Sequence, residues 1–300
     1  MDIFVSKETL LSHDGLPLYS ELHLHPKHKG IVILLHGYGD HCGRYKHVID
    51  KLTQNQFSVY TFDQRAHGRS PGNRGYIDSL NNWINDLDMM MDRVIVRENN
   101  KPIYLIGQGT GALIAALYYT ERKPDIRGLV MIAPLIKSCA SRLSFYLAEI
   151  LSMVAPHFPL MACYHDRPHT RDPQSMHVFL QDQLCYHGRI HAKTSSEILR
   201  GTMKLLQQLS SIDCPVLIMQ GTADRTAYPE GAHLLYEKAV SQDKSIKIYE
   251  NCYHDLFHEI ERETILSDLV AWMALRSSKY GIAPSHSVHS NLKVALNRIA

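Results

Sequence analysis

The sequence predicts an α/β fold built on a mostly parallel central sheet, and three observations carry that expectation. Six short runs are apolar without polar alternation, which is the pattern of strands buried on both faces. Segments of helical length separate them, so strand, turn and helix recur along the chain. One run, "KPIYLIG", passes through a glycine-rich turn straight into the apolar helix "ALIAALYY".

Taken in order, "LLSHDGLPLYSELHL" alternates apolar and polar residues on either side of Asp14 and Gly15, which predicts a β-hairpin. The six parallel-type runs follow as "GIVILLHG", "FSVYTFD", "KPIYLIG", "GLVMIAPL", "CPVLIMQG" and "SIKIYEN". Between the fourth and fifth, roughly residues 138 to 212, the rhythm breaks. That stretch holds "RLSFYLAEILSMVAPHFPLMACY", interrupted by Glu149, Pro156 and Pro159, and later "SSEILRGTMKLLQQL". A helical cap inserted over the carboxyl ends of the strands is the expectation, since open α/β sheets bind ligands there. The domain is expected to span residues 1–275, and residues 276–300, rich in Ser and His, to form a flexible extension.

Composition narrows the function classes. The 300 residues are 45% hydrophobic, enough for one large core. Lys and Arg number 32 against 30 Asp and Glu, so the chain lacks the basic field that nucleic-acid binding needs, and no nucleic-acid partner is expected. The six cysteines are scattered, without the close spacing of a zinc or redox site, and the N-terminal stretch lacks a secretory pattern. A reducing, cytoplasmic location follows as an expectation. No run of about 18 apolar residues supports a spanning helix, so any membrane contact is expected to be peripheral. His23, His25 and His28 in "HLHPKH" have metal-ligating side chains. With no Cys or acidic partner in view, a surface strand ending at Pro26 is expected instead.

The chemistry-bearing features converge on the turn after "KPIYLIG". A strand-to-helix turn framed by glycines, here Gly107 and Gly111, is the nucleophile elbow of serine esterases, and the residue at its tip attacks the substrate. At the tip stands Gly109. An acid and a base nevertheless follow in the order that a Ser, Asp, His triad requires: Asp224 in "GTADRTAYPEG" after one strand, and His254 in "NCYHDLFHE" after the next. "HGYGDHCGRY", after the first parallel strand, is where a second oxyanion donor belongs, so the backbone N–H groups of Tyr38 and Thr110 are the candidate oxyanion hole.

The chain resembles the monoacylglycerol lipase and lysophospholipase branch of the α/β-hydrolases, of the serine aminopeptidase S33 type, up to about Leu275. The resemblance runs through "HGYGDHCGRY", "DQRAHGRSPGNRGYIDSLNNWINDL", "TRDPQSM", "YHGRI" and the continuous stretch from "GTADRTAYPEG" to "YHDLFHE". It implies a carboxylester hydrolase acting on a monoacylglycerol or lysophospholipid, with an acyl lipid in a capped apolar pocket and no metal or cofactor. It also carries the acid to Asp224, the base to His254, the oxyanion donors to Tyr38 and Thr110, and the nucleophile to Gly109. The family reads Gly-His-Ser-Met-Gly at the elbow, whereas this chain reads Gly107, Gln108, Gly109, Thr110, Gly111.

Glycine has no atom to acylate, so an acyl-enzyme is closed to this chain. Thr110, Ser70 and Cys42 are displaced from the elbow tip and are poor substitutes. Two readings stay open. His254 could activate a water in the vacated space, giving slow non-covalent hydrolysis. The pocket could instead bind without reacting, in a lipid-binding or protein-interaction pseudoenzyme. A deliberate knock-out at Gly109 is disfavoured by the accompanying changes at Gln108 and Thr110. A glycine at so strained a turn is also expected to stabilise the fold.

Overall fold

The structure is a computed structural model that describes residues 2–98, 101–138, 142–160 and 168–277. Two antiparallel strands come first, β1 (Phe4–Leu11) and β2 (Pro17–Leu24), then β3 (Gly30–Leu35), α1 (Lys46–Gln54), β4 (Phe57–Phe62) and α2 (Leu80–Arg97). They are followed by β5 (Ile103–Gln108), α3 (Thr110–Arg122) and β6 (Gly128–Ile132). The next stretch contains α4 (Arg142–Val154), the two-residue β7 (Pro159–Leu160), α5 (Pro173–Gln181), the two-residue β8 (Ile190–His191) and α6 (Ala192–Gln208). The chain then returns to β9 (Val216–Gly221), α7 (Pro229–Lys238), β10 (Lys244–Tyr249) and α8 (Arg262–Ser277).

One eight-stranded sheet runs in the order β1-β2-β4-β3-β5-β6-β9-β10. The pairs from β4 to β10 are parallel, and β2 joins β4 antiparallel. Every residue of β3, β4, β5, β6 and β9 is buried, and alternate residues serve different cores. Ile31, Ile33, Leu105, Met131 and Ile218 meet α2, α3, α6 and α7 on one face. Val32, Leu34, Ile106, Val130 and Met219 meet α1 and α8 on the other. This two-sided demand is why the runs carry no polar alternation. The mostly parallel sheet with helices on both faces agrees with the expectation from sequence. The edge strand β10 is the exception, with only Tyr249 buried.

The hairpin turns where Asp14 and Gly15 predicted, with Gly15 at φ +80°, although β1 begins earlier than the alternation suggested. The reading of the histidines needs correction. β2 lies between β1 and β4, so it is not a surface strand, and His25 is buried. Acidic partners exist as well: His23 bonds Glu21 at 3.1 Å and His28 pairs with Glu98 at 3.3 Å. Cys42, Cys185, Cys214 and Cys252 are free and buried, while Cys139 and Cys163 lie outside the described residues, as do residues 278–300 of the expected extension.

The insertion between β6 and β9 is helical. α4 ends at Val154, before Pro156, and β7 follows after a turn. α4 packs on α6, where Arg200 Nε bonds Glu149 at 2.7 Å. α5 starts at Pro173 behind Asp172, whose carboxylate accepts the Gln174 N–H at 3.1 Å, an N-cap with Pro at the first helical position. None of its residues is buried. Among the described residues no helix is long and apolar enough to cross a membrane.

Candidate functional site

The sequence leaves β5 at Gln108, turns at Gly109 and enters α3 at Thr110. Gly109 has φ +57° and ψ −115°, a backbone state that side-chain-bearing residues adopt only under strain. Its N–H donates to Ile132 O at 2.9 Å and its carbonyl accepts from Leu113 at 3.2 Å, so both neighbours in the fold hold the turn. The flanking glycines answer to packing. A Cβ on Gly107 would lie 2.3 Å from Gly111 O, and one on Gly111 would lie 2.5 Å from His36 O and 2.7 Å from Leu35 O. The elbow is therefore built at full curvature with no side chain at its tip.

Asp224, in the loop after β9, and His254, in the loop after β10, meet above this turn. His254 Nδ1 lies 2.9 Å from Asp224 Oδ2. Gln220 Nε2 donates to the same oxygen at 3.0 Å, and the N–H groups of Thr226 and Ala227 donate to Oδ1 at 2.8 and 2.9 Å. Burial alone would raise the Asp224 carboxyl, but the charge and hydrogen bond of His254, with the two backbone N–H groups, outweigh it and hold the carboxyl below its usual range. Burial likewise opposes protonation of His254, and Asp224 more than compensates, so the imidazole is held above its usual range. With Nδ1 committed to Asp224, the other ring nitrogen faces the elbow. A Cβ on Gly109 would lie 3.0 Å from His254 Nε2.

The cleft above Gly109 is lined by Tyr38, Gln108, Thr110, His254 and Asp255 at its floor, and by Leu135 together with Met176 and Phe179 of α5. It is a small, open-mouthed cleft of about 50 Å³. Tyr38 is held by its hydroxyl, which donates to Gly75 O at 2.8 Å, and by its ring against His67. Thr110 heads α3, so its N–H has no acceptor within the helix. The structure thus brings Tyr38, Gly107, Gly109, Thr110, Gly111, Asp224 and His254 to one place. Ser70 and Cys42 do not line the cleft: the Ser70 hydroxyl accepts from Tyr19 N at 2.9 Å, and burial pushes the Cys42 thiol well up.

One part of the site escaped the sequence reading. Gln108 Nε2 donates to Asp255 Oδ1 at 2.8 Å, and Asp255 also pairs with His258 at 2.9 Å and Arg44 at 3.4 Å. Arg44 in turn bonds Asp40 at 3.0 Å, and the Asp255 N–H donates to His169 O in the cap at 2.8 Å. Burial opposes this charge on Asp255, and His258, Arg44 and Gln108 hold its carboxyl far below the usual range. Two hints were present: Asp255 directly follows the base, and Gln108 departs from the expected elbow. Elsewhere, His41 with Asp182 and Cys185, and Cys252 with Glu259 and Glu261, bring metal-ligating atoms within 4.8 Å of one another. Members of both groups already have partners, His41 with Asp182 at 2.9 Å and Glu259 with Arg171 at 3.2 Å.

Comparison with known proteins places this geometry among relatives. A family model described as serine aminopeptidase, S33, matches residues 26–261. The chain is 27% identical to a monoacylglycerol lipase of Mycolicibacterium smegmatis, covering 82% of this chain and 88% of that one. It is 29% identical to a monoglyceride lipase of Rattus norvegicus, over 84% and 85% of the two chains. The crystal structure of a monoacylglycerol lipase from Paleococcus ferrophilus superposes with a TM-score of 0.77 at 26% identity, covering 92% of this chain and 100% of that one.

Proposed function

Because the chain belongs to the serine aminopeptidase S33 family, with an α/β-hydrolase fold and monoacylglycerol lipase-like character over most of its length, we propose that it acts on monoacylglycerols or lysophospholipids as an impaired carboxylester hydrolase. Water stands in for the missing serine. The observation that carries the reading is the intact Asp224–His254 pair, whose free nitrogen lies 3.0 Å from where a Cβ on Gly109 would be. A water in that space gives its proton to His254 Nε2 as its oxygen attacks the ester carbonyl carbon. The oxyanion gathers against the N–H groups of Tyr38 and Thr110. On collapse the glyceryl oxygen leaves with the proton from His254, and the acid is released. Without a covalent intermediate, the acceleration expected is what such a site retains after losing a triad member, about 10³ to 10⁴ over water.

The competing reading is a lipid-binding or protein-interaction pseudoenzyme, favoured by the absent nucleophile and by an elbow that glycine fits without strain. The apolar side chains exposed on α4, Tyr146, Leu147, Ile150, Met153 and Val154, support peripheral contact of the cap with a lipid surface under either reading. Hydrolysis of a monoacylglycerol by the unmodified chain, Gly109→Ser and His254→Ala separates the two. Turnover by the unmodified chain that disappears in His254→Ala supports the water route. Turnover by Gly109→Ser alone refutes it and supports binding.

A further inference from the structure

The cleft joins a polar floor to an apolar mouth, and its floor departs from what an ester needs. Gly109 leaves open the space beside His254 Nε2. Directly beneath lies the N-terminus of the thirteen-residue α3, whose first N–H groups have no intrahelical partners and whose dipole favours an anion. One side chain lining the same floor carries a donor without a hydrogen-bond partner, the hydroxyl of Thr110, a residue only 2% exposed.

We propose that this cleft binds the carboxylate of a free fatty acid, with one oxygen in the space above Gly109, between His254 Nε2 and the first turn of α3. The proposal rests on the reading of the cleft as a site for acyl lipids, and it deepens that reading by naming the head that the floor selects. A serine side chain would occupy part of this volume. Its absence lets an oxygen approach the imidazole directly. Leu135, Met176 and Phe179 flank the way out for the hydrocarbon. The Thr110 hydroxyl can donate to the second oxygen.

The charges around His254 permit this. Asp224 holds Nδ1, and Asp255 is committed to Gln108, His258 and Arg44. Arg44 is shared with Asp40, and the ring of His169 from the cap stands 6.2 Å from that of His254. An imidazolium paired to Asp224 therefore presents its remaining N–H to the cleft. The ligand must be ionised and His254 protonated, so binding is confined between the carboxylic acid range and the raised range of His254 and fades as pH climbs through the latter.

Calorimetric titration of the full chain with dodecanoate and with methyl dodecanoate, at about pH 6.5 and about pH 9.5, tests the proposal. A charge-assisted hydrogen bond in a partly buried site gives the acid at least a ~10-fold advantage at the lower pH. That advantage should vanish at the higher pH and in His254→Gln, where a retained cooperative unfolding transition controls for folding. Gly109→Ala, whose methyl group fills the oxygen position, should lose the same preference. Equal binding of acid and ester, or a preference that survives in His254→Gln, would overturn the carboxylate proposal and leave the acyl-lipid reading standing. Binding of neither ligand would overturn both.

Discussion

Serine placed at position 109 should make the protein less stable even as it restores the missing atom. The backbone at Gly109, φ +57° and ψ −115°, costs a side-chain-bearing residue about 1–3 kcal/mol. Replacing glycine also reduces the entropy of the unfolded chain, which returns about 0.4–1 kcal/mol where the native backbone suits the new residue; here it does not, so strain dominates. The new Cβ would stand 3.0 Å from His254 Nε2, and the ring must retreat by a few tenths of an ångström while Asp224 grips it from behind. A net loss of about 1–2 kcal/mol follows, which lowers the melting temperature of a domain this size by roughly 2–6 °C. Scanning calorimetry on both proteins reads the shift directly. Because deleting a nucleophile from a working triad costs on the order of 10⁶ in kcat, even an imperfectly seated serine should raise monoacylglycerol hydrolysis at least ~100-fold. A serine variant that melts at the same temperature or higher would refute the strain argument, whatever its activity.

Further outcomes follow from the same geometry. If water is the nucleophile, His254 must be neutral to work, and Asp224 holds its pKa up, so hydrolysis should rise with pH through a midpoint above 6.5. Asp224→Asn leaves burial unopposed; a pH–rate profile should show that midpoint falling, with turnover down by about 10³ or more. The stabilising effect of protonated His254 is complete below about pH 6.5 and lost as pH rises through its folded value, whereas that of ionised Asp224 is lost as pH falls from about 4; chemical denaturation across pH should lose both slopes in Asp224→Asn. Gly111→Ala sets a methyl group 2.5 Å from His36 O, a backbone atom, and should cost about 3 kcal/mol in urea unfolding. Leu147→Asp combined with Ile150→Asp should lower co-sedimentation with phosphatidylcholine vesicles several-fold at unchanged melting temperature; unchanged co-sedimentation would exclude α4 as a membrane contact.

The parts of this protein that could be read from sequence are those whose residues are constrained on two sides. β3, β5 and β9 are buried on both faces, and that condition writes itself as an unbroken apolar run. Asp224 and His254 could be placed together because each lies in the loop after a parallel strand, at the end of the sheet where the elbow stands. α5 was not read as a separate helix: it buries nothing, so its sequence bears no periodic mark, and only the Asp172–Pro173 cap signals where it starts. The Gln108–Asp255 bond could not be paired from sequence for a different reason, since the partners are 147 positions apart and no spacing rule links them. The histidines at and beyond the end of β2 do have acidic partners: for His23 it is Glu21, two positions away on the same strand, and for His28 it is Glu98, which only folding brings near.

The glycines on either side of position 109 have a use in telling proteins apart. Gly107 and Gly111 are required because helix and strand backbones touch there, and that requirement is indifferent to whether anything reacts at the tip. A chain can shed its nucleophile and still be obliged to keep both, so the flanking pair identifies an architecture whereas the central residue alone identifies a chemistry. A glycine frame by itself therefore does not report which residue stands between its two members. Sorting such chains calls for reading one position, then asking what the neighbouring imidazole has left to hold.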